Sequence, residues 1–325
     1  MSTKDKLLEL FESDKGNYLS GEELAERLGC SRAAVWKAVN LLRSEGHSIS
    51  AVTNKGYCLD PASDVLSQAG VEKYLGEYKG RIRLDVQKCV GSTNDVLRRL
   101  AAEGAPEGTV SVAGMQTGGK GRLGRSFFSP KDSGLYLSIL LRPEMSALDA
   151  VRITTAAAVA VSETVEKLSG RQAAIKWVND VRIDGKKICG ILTEASFSLE
   201  NGGLEYAVVG IGVNAYEPEG GFPDEIKDIA GAVFTGHGED LRCRLAGGII
   251  SRFMDLYKDL SSEDMLNSYR SRLEWKGDRI RVIRGSDEFE CTLIDVDDAY
   301  ALRVRLDDGS EKLISSGEIT IRRKE

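Results

Sequence analysis

Three stretches near the start of the chain repeat apolar residues at the spacing of a helix. They are residues 7–11, 20–29 and 31–42. Apolar residues recurring every three or four positions place one face of a helix against a core. Ser20 with Glu23 predicts a capping box, Gly29 predicts a helix end, and Ser31 predicts the N-cap of a third helix. The pattern therefore predicts a helix followed by a helix-turn-helix.

The segment after the third helix predicts two short strands. Residues 47–52 and 57–59 alternate between apolar and polar side chains about a turn at residues 54–56. A hairpin in this place would form a wing beside the helix-turn-helix. We therefore expect a winged helix-turn-helix at residues 1–64, with a hinge near residues 60–67.

Strands and long helices are mixed in the middle of the chain. Residues 109–113 and 135–141 read as strands, a helix runs from Ser146 or Asp149 to Leu168 before Gly170, and residues 240–260 form another helix. The strands before and after the first helix form hairpins. This mixture predicts an α+β domain over residues 65–274, with a sheet covered on one face by helices.

Short alternating strands fill the last fifty residues. They are residues 279–283, 289–296, 301–306 and 312–314. Gly285 and Asp308-Gly309 supply turn residues between them. We expect a small β-barrel of the SH3-like type at residues 275–325.

Composition indicates a globular protein of several domains. The chain has 325 residues, is 42% hydrophobic and carries a net charge of −6 at pH 7, which gives no general attraction to nucleic acid or membranes. Its six cysteines include no C-x-x-C pair, so we expect free thiols and no zinc site. The start lacks an apolar signal core, and no apolar run is long enough to span a membrane. A cytoplasmic location without a membrane partner is expected.

The first candidate site is the tract Gln116-Thr-Gly-Gly-Lys-Gly-Arg-Leu-Gly-Arg125, where four glycines alternate with three cations. Backbone N–H groups and cations can converge there on a phosphate or carboxylate. The tract contains G-x-G-x-x-G, but a turn and a second strand follow, whereas a dinucleotide-binding fold needs a helix. Without a Gly-Lys-Ser or Gly-Lys-Thr sequence it is not a Walker A loop. A solvated surface hairpin remains the alternative.

The second candidate site begins about sixty residues after the start of the first. Residues 173–177 read as a strand that ends at Asn179-Asp180, and Asp184-Gly185 predicts a tight hairpin that returns the chain through Lys187 to residue 192. This hairpin would bring Lys176, Asn179, Asp180 and Lys187 together. A lysine there can neutralise a carboxylate that attacks a phosphate, and Asn and Asp can hold ribose, phosphate or magnesium. The alternative is an exposed cross-strand ion pair of little energetic value.

At these two tracts the sequence strongly resembles the biotin protein ligases. That family has a Gly-Arg-Gly-Arg-x-Gly-Arg loop and a Lys-Trp-Pro-Asn-Asp signature followed by a Lys and Gly-Ile-Leu. Further matches are residues 91–95, 210–214 and 317–322. The chain departs from the pattern at Lys120, where the family usually has Arg, and at Val178, where it has Pro. Lys keeps the charge but loses the bidentate fork, so we expect activity with altered retention of the intermediate. We expect Val178 in a strand, which suits a β-branched side chain.

The resemblance implies a role for each matching residue of this chain. The ureido head of biotin would be bound by Ser92, Thr93, Asn94 and Gln116. The remaining biotin contacts would come from Gly119, Lys120, Gly121, Arg122, Lys187 and Gly190. The nucleotide would be bound by Arg122, Arg125, Phe127, Lys176, Asn179, Asp180, Asn214 and Arg322. The catalytic candidates are Arg122, Lys187 and Asp180, with Lys187 at the reacting acyl oxygen.

The implied reaction consists of two in-line displacements. The biotin carboxylate attacks the α-phosphate of ATP, which is accompanied by Mg²⁺ with unidentified ligands, and gives biotinyl-5′-AMP and pyrophosphate. A lysine of a biotin carboxyl carrier protein then attacks the mixed anhydride. No covalent enzyme intermediate is needed, in agreement with the position of both histidines, His47 and His237, outside the motifs. Asp180 is a possible acceptor for the lysine proton, but a structural or magnesium-binding role is equally open.

The N-terminal segment resembles the winged helix of bifunctional biotin ligases that also repress biotin genes. Residues 1–60 hold about as many acids as bases, but the bases concentrate on the third helix and the wing. The operator contacts are predicted to be Ser31, Arg32, Trp36, Lys37 and Lys55. Trp36 could instead belong to the core. A homodimer is expected because helix-turn-helix proteins commonly pair on palindromic DNA.

Three hypotheses remain open. A bifunctional ligase and repressor explains every segment. A biotin-sensing regulator with weak or no ligase activity would keep the biotin site. A ligase for lipoate or another acid would be expected to lack both the C-terminal barrel and the Ser92-Thr93-Asn94 turn. The presence of Lys176, Asn179, Asp180 and Lys187 together favours turnover. The winged helix could also be a lid or dimer spacer that binds no operator.

Overall fold

The computed structural model describes residues 2–146, 148–197, 203–284, 287–315 and 319–323. The elements of its N-terminal unit are α1 (Thr3–Ser13), α2 (Gly21–Leu28), α3 (Arg32–Ser44), β1 (Ile49–Val52) and β2 (Gly56–Leu59). The Ser20 side chain accepts the N–H of Glu23, the Ser31 side chain caps α3, and Gly29 ends α2 with a φ of 61°. The predicted winged helix-turn-helix is confirmed, with its first strand beginning at Ile49 rather than residue 47.

A seven-stranded sheet forms the centre of the molecule. Its strands are β3 (Arg83–Gln87), β4 (Thr109–Ala113), β5 (Gly134–Leu141), β6 (Ala174–Lys176), β7 (Asp180–Ile183), β8 (Lys186–Phe197) and β9 (Leu204–Asn214). They lie in the order β3-β4-β5-β9-β8-β7-β6. Strands β3 and β4 are parallel, and the other neighbouring pairs are antiparallel. The predicted hairpin signal at Asp184-Gly185 is confirmed as the β7–β8 turn.

Helices cover both faces of this sheet. They are α4 (Gln68–Glu72), α5 (Thr93–Ala102), α6 (Val151–Ser169), α7 (Leu241–Tyr257) and α8 (Glu263–Ser271). Ile139 and Val209 join the core that includes α6 and α7, whereas Leu140 and Val208 pack with Leu97 of α5 in a separate cluster. Successive strand residues point to opposite faces, so α5 lies across the sheet from α6 and α7. The prediction of helices on a single face was wrong, because the predicted Ser92-Thr93-Asn94 turn is the start of an amphipathic helix, α5.

The C-terminal region is a sheet of five antiparallel strands. They are β10 (Arg279–Arg284), β11 (Asp287–Val296), β12 (Leu302–Arg305), β13 (Glu311–Ile314) and β14 (Ile319–Arg323), in the order β13-β12-β11-β10-β14. The ladders between the described strands leave β13 and β14 as edges and show no closed barrel. The predicted turn at Gly285 and part of the motif at residues 317–322 lie outside the described residues. The sheet packs onto the central core, where the Trp177 indole N–H donates to the Tyr300 carbonyl at 2.9 Å.

Buried ionic contacts join the winged helix to the central domain. Lys15, after α1, forms an ion pair with Asp240, whose carboxylate also accepts hydrogen bonds from Lys73 and Tyr74. All six cysteines are free thiols. Within the described ranges no helix is both long and apolar enough to cross a membrane.

Candidate active site

The glycine-rich tract forms a small hairpin beside the sheet. Lys120 and Ser126 pair as an antiparallel bridge, and the Gly121 N–H donates to the Arg125 carbonyl at 2.7 Å. A single short 3₁₀ turn, Arg122–Gly124, forms its tip. The chain continues into a turn and β5 rather than a helix, so this tract is not a dinucleotide-binding loop, as predicted from the sequence.

Glycines form the floor beneath this hairpin. The cross-strand neighbours along one row, from β5 to β6, are Tyr136, Gly212, Gly190, Asp180 and Lys176. A Cβ on Gly212 would lie 2.6 Å from the Phe127 ring, and one on Gly190 would lie 3.1 Å from the same ring. The missing side chains therefore leave the space in which Phe127 lies on the sheet. The ring also meets Tyr136 edge to face, with 6.4 Å between centroids.

A cavity lies between the hairpin, the glycines of β8 and β9, and the start of α5. Its lining comprises Ser92, Thr93, Asn94, Gln116, Lys120, Gly121, Arg122, Phe127, Asn179, Lys187, Gly190, Ile191, Leu192, Gly210, Ile211 and Gly212. Eleven of these positions are residues predicted from the sequence for biotin or nucleotide binding. The structure thus brings residues of both tracts to one concave site, which is the usual form of a small-molecule site.

One end of the cavity is lined by neutral polar groups. Gln116 Oε1 accepts hydrogen bonds from the Thr93 N–H at 2.8 Å and the Thr93 hydroxyl at 3.1 Å. Gln116 Nε2 donates to Ser129 Oγ at 3.2 Å. Ser92 is the N-cap of α5, so the predicted Ser92-Thr93-Asn94 turn is the beginning of a helix. The helix fixes the direction of these side chains.

Asn94 is held from two sides by residues that the sequence did not reveal. Its Nδ2 donates to Glu194 Oε2 at 2.7 Å, and its Oδ1 accepts from the Ser138 hydroxyl at 2.6 Å. A Cβ on Gly210 would lie 2.1 Å from Asn94 Oδ1, so the amide rests directly on a glycine of β9. Ser138 and Glu194 lie in ordinary strand patterns, and only the register of the sheet places them beside Asn94.

Positive charge concentrates at the other end of the cavity. Lys187 Nζ lies 2.6 Å from Asp180 Oδ1, and both side chains are half-buried. Arg122 donates from Nη1 to Asn179 Oδ1 at 3.0 Å, and Asn179 Nδ2 donates to the Ile191 carbonyl at 2.8 Å. Burial lowers the pKa of Arg122, and the Asp180 carboxylate opposes this shift. Two cations are therefore held in fixed directions toward one space.

The remaining predicted nucleotide residues lie outside the lining of this cavity. Burial lowers the pKa of Lys176, and its ammonium lies 5.4 Å from the centroid of the Trp275 ring. Asn214 donates to the Gly231 carbonyl at 3.0 Å. Arg125 is exposed on the hairpin, and Arg322 is exposed on β14 opposite Arg281.

Two further predicted positions have structural surroundings that the sequence did not show. Gly119 is enclosed, because a Cβ there would lie 2.5 Å from the Phe127 carbonyl oxygen. Val178 is buried in the turn between β6 and β7. The prediction that Val178 lies in a strand was wrong, since the strand ends at Lys176 and the chain turns back before Asp180.

The outward face of α3 carries the predicted operator contacts. Arg32, Trp36 and Lys37 are exposed, and 56% of the Trp36 side chain is accessible to solvent. Trp36 is therefore not a core residue. Ser31 is exposed but its hydroxyl caps the helix, and Lys55 lies 5.7 Å above the Tyr18 ring at the wing.

Comparison with known proteins places the chain in a family. Residues 86–214 match the biotin/lipoate A/B protein ligase family, and residues 3–58 match an HTH domain. The chain is 33% identical to the bifunctional ligase/repressor BirA of Bacillus spizizenii over 317 residues, which cover 95% of this chain and 96% of that protein. BirA of Bacillus subtilis matches with the same identity and coverage.

A solved structure agrees with this assignment. The biotin protein ligase from Aquifex aeolicus in complex with biotin and ATP aligns with a TM-score of 0.61 and 27% identity, covering 74% of this chain and 99% of that one. The matches to both the ligase and the HTH models fall on the central sheet and the winged helix described above. The chain belongs to the biotin protein ligase family, in its bifunctional ligase and repressor branch.

Proposed function

We propose that this protein activates biotin with ATP, transfers it to a lysine of a biotin carboxyl carrier protein, and represses biotin genes through its winged helix. The observation that carries the ligase half is a cavity that is lined by both neutral polar groups and cations over glycines of β8 and β9. A small acid with a polar head and a carboxylate tail fits this division of charge. ATP must then meet that tail at the cationic end.

The neutral end is suited to the ureido group of biotin. A ureido group presents one carbonyl acceptor and two N–H donors. Asn94 Oδ1 accepts one bond from Ser138 and has a second lone pair for a ureido N–H. Thr93 and Gln116 are already bonded to each other, so their free polar atoms point in fixed directions. This rigidity lowers the entropy lost when the head binds.

The cationic end is suited to adenylate formation. A biotin carboxylate oxygen attacks the α-phosphorus of ATP, and the bond to pyrophosphate breaks in line with it. Lys187 and Arg122 attract both anions and stabilise the charge that develops between them. The Arg122 guanidinium is held by Asn179 before the reaction. Its orientation therefore requires no rearrangement in the transition state.

Magnesium is proposed to arrive with ATP. The described part of the chain has no group of three or more His, Cys, Asp or Glu side chains that could hold a metal ion. Mg²⁺ commonly binds through substrate phosphates, waters and one or two carboxylates. Asp180 is the carboxylate nearest to Lys187 and could supply one such ligand. The ion would reduce the repulsion between the phosphates and the attacking carboxylate.

The second step uses the same site. The carrier lysine nitrogen attacks the acyl carbon of biotinyl-5′-AMP, an amide bond forms, and AMP leaves with the electrons of the broken acyl–oxygen bond. Asp180 can take the proton of the attacking amine if its contact with Lys187 loosens. A purely structural role for Asp180, fixing Lys187, is the alternative.

The remaining parts of the proposal concern the flanking domains. Residues 1–64 would bind operator DNA through Arg32, Trp36 and Lys37, and two copies would pair on a palindromic site. Residues 65–274 would form the ligase domain. Residues 275–325 would form an SH3-like domain from which Arg322 reaches the nucleotide. A cytoplasmic location is proposed from the free thiols.

Mass spectrometry of a biotin-free carboxyl carrier domain tests the ligase. The carrier is incubated with the full-length protein, ATP, magnesium and either biotin or lipoate. A mass increase of one biotin on one lysine, without modification by lipoate, supports the proposal. A protein that binds biotin but leaves the carrier unmodified would instead be a biotin-sensing regulator.

A matched pair of variants separates site chemistry from surface charge. Lys187→Ala removes a cation that lines the cavity, whereas Lys186→Ala removes a neighbouring lysine whose ammonium bonds to the Lys227 carbonyl. Biotin transfer should fall strongly in the first variant and stay close to the wild-type rate in the second. Equal loss in both variants would contradict the role of Lys187.

A further inference from the structure

We infer that Asp95 is a positioning residue that holds Lys120, and with it the glycine-rich hairpin, over the bound intermediate. The inference rests on the proposed function. Asp95 lies in the first turn of α5, and its Oδ1 is 2.5 Å from Lys120 Nζ. Lys120 lines the cavity, and Asp95 stands outside the described lining. The carboxylate therefore acts on the site through the lysine that it holds.

The hairpin is attached to the rest of the domain on two sides. On one side Lys120 reaches α5 through Asp95. On the other side Arg122 reaches the β6–β7 turn through its bond to Asn179. The cavity lies between these two attachments, so we expect movement of the hairpin to ease the escape of a ligand. Removal of either attachment should allow that movement more often.

Further charges around Asp95 connect it to the neutral end of the site. Arg98 Nη1 lies 3.5 Å from Asp95 Oδ1 and 3.3 Å from Glu194 Oε1. Glu194 in turn accepts the hydrogen bond from Asn94. Asp95 thus stands between one cation of the hairpin and one cation of its own helix. If Asp95 loses its charge, Arg98 keeps Glu194 as a partner, but the structure gives Lys120 no second carboxylate among the described contacts.

This arrangement gives a reason for lysine at position 120. A lysine ammonium is a compact charge on a flexible stem, which suits contact with a single carboxylate oxygen. The bond holds the Lys120 stem against α5, and both Lys120 and Gly121 line the cavity. The pair is partly exposed, with 41% of the Lys120 and 48% of the Asp95 side chain accessible, so its effect must be modest. Exposed pairs of this kind change an equilibrium by between about 1.4-fold and about fivefold.

The test measures how fast the adenylate escapes. Full-length protein is charged with labelled biotin and ATP, excess unlabelled biotin is added, and the label remaining on the protein is followed with time. Asp95→Asn should release biotinyl-5′-AMP between about 1.4 and about five times faster than wild type at low salt. Added salt should speed release from the wild type and narrow the difference, because salt screens the exposed pair.

Four controls separate positioning from a general effect on the helix. Glu103→Gln removes a carboxylate from the other end of α5, where it pairs with Arg99, and should release adenylate at the wild-type rate. Asp95→Glu keeps the charge and should retain the adenylate better than Asp95→Asn. Thermal unfolding of each variant shows that α5 is folded. In the Lys120→Gln protein, Asp95→Asn should have no further effect, since the partner is already absent.

The outcomes distinguish this inference from the function on which it rests. If the wild-type protein forms adenylate and Asp95→Asn retains it equally well, the positioning role is wrong and the ligase stands. The same holds if Asp95→Asn and Lys120→Gln have additive effects on release. If the wild-type protein forms no adenylate from biotin and ATP, the proposed function fails and the inference fails with it.

Discussion

Replacement of Gly210 by alanine tests whether this glycine of β9 fixes the position of the Asn94 side-chain amide. A Cβ at this position would lie 2.1 Å from Asn94 Oδ1 and 2.9 Å from its Cγ. The amide would have to move by roughly an ångström or more to reach an ordinary contact of about 3.5 Å. Its bonds to Ser138 and Glu194, at 2.6 and 2.7 Å, cannot both survive such a shift.

The size of the effect follows from the bond that is lost. A ureido N–H that is left in the site without its acceptor costs about 1–3 kcal/mol. If Asn94 turns away from Glu194, it also turns away from the position in which Oδ1 accepts a ureido N–H. Because about 1.4 kcal/mol corresponds to a factor of ten, biotin affinity should fall by about tenfold to a hundredfold.

Isothermal titration with biotin measures this change directly. Gly91→Ala is the matched control, since a Cβ there would have no atom within 4 Å and the residue also precedes the start of α5. It should bind biotin like the wild type. Thermal unfolding in the absence of biotin must show that Gly210→Ala is folded. A folded Gly210→Ala protein that binds biotin as tightly as the wild type would refute the role assigned to Gly210.

Three further changes have defined outcomes. Arg122→Ala should raise the KM for biotin by about tenfold to a hundredfold because it removes charge-assisted bonds. Arg99→Ala, at an exposed position of α5 where Arg99 pairs with Glu103, should change this KM little, and equal effects of the two variants in steady-state ligation would contradict the site. Trp36→Ala should weaken binding to selected operator DNA by about fivefold, which is the lower end of the effect of losing one contact to a base, and should leave ligation unchanged. If anisotropy titrations give the same DNA affinity for this variant as for the wild type, Trp36 does not contact the operator. His47 is only 5% exposed, and burial lowers its pKa from 6.5 to about 4. Its neutral form is favoured in the fold, so about 3 kcal/mol of stability, present above pH 6.5, should be lost as the pH falls through 4. Urea unfolding should show this loss, and a His47→Gln protein with the same pH profile would contradict it.

Local signals were sufficient to predict the winged helix and the glycine-rich hairpin. Ser20, Gly29 and Ser31 act within one turn of their own helix ends, so the chain reveals them without knowledge of distant contacts. The tract at residues 116–125 is also local, because its glycines and its strand-turn-strand setting are adjacent in the chain. Its hairpin bonds, such as Gly121 to Arg125, join near neighbours.

The contacts that could not be predicted from the sequence depend on the register between strands that are far apart in the chain. Ser138 and Glu194 reach Asn94 only because β5, β9 and β8 pair in one particular register. Taken alone, each of these two residues is an ordinary polar residue in a strand. Gly210 was part of a recognised motif, but its function as a support for Asn94 depends on α5 crossing the sheet. The sequence did not predict α5 as a second covering layer, because its first turn is polar and its apolar contacts are with distant strands.

Biotin-dependent exchange of labelled pyrophosphate into ATP tests the central claim most directly. The exchange runs adenylate formation forward and back, so it needs biotin and ATP in one site but neither carrier protein nor DNA. We predict exchange that requires biotin, is not supported by lipoate, and falls sharply in Lys187→Ala but not in Lys186→Ala. Exchange that is independent of biotin, or that is equal in the two lysine variants, would contradict the assignment of this cavity as the place where biotin is activated.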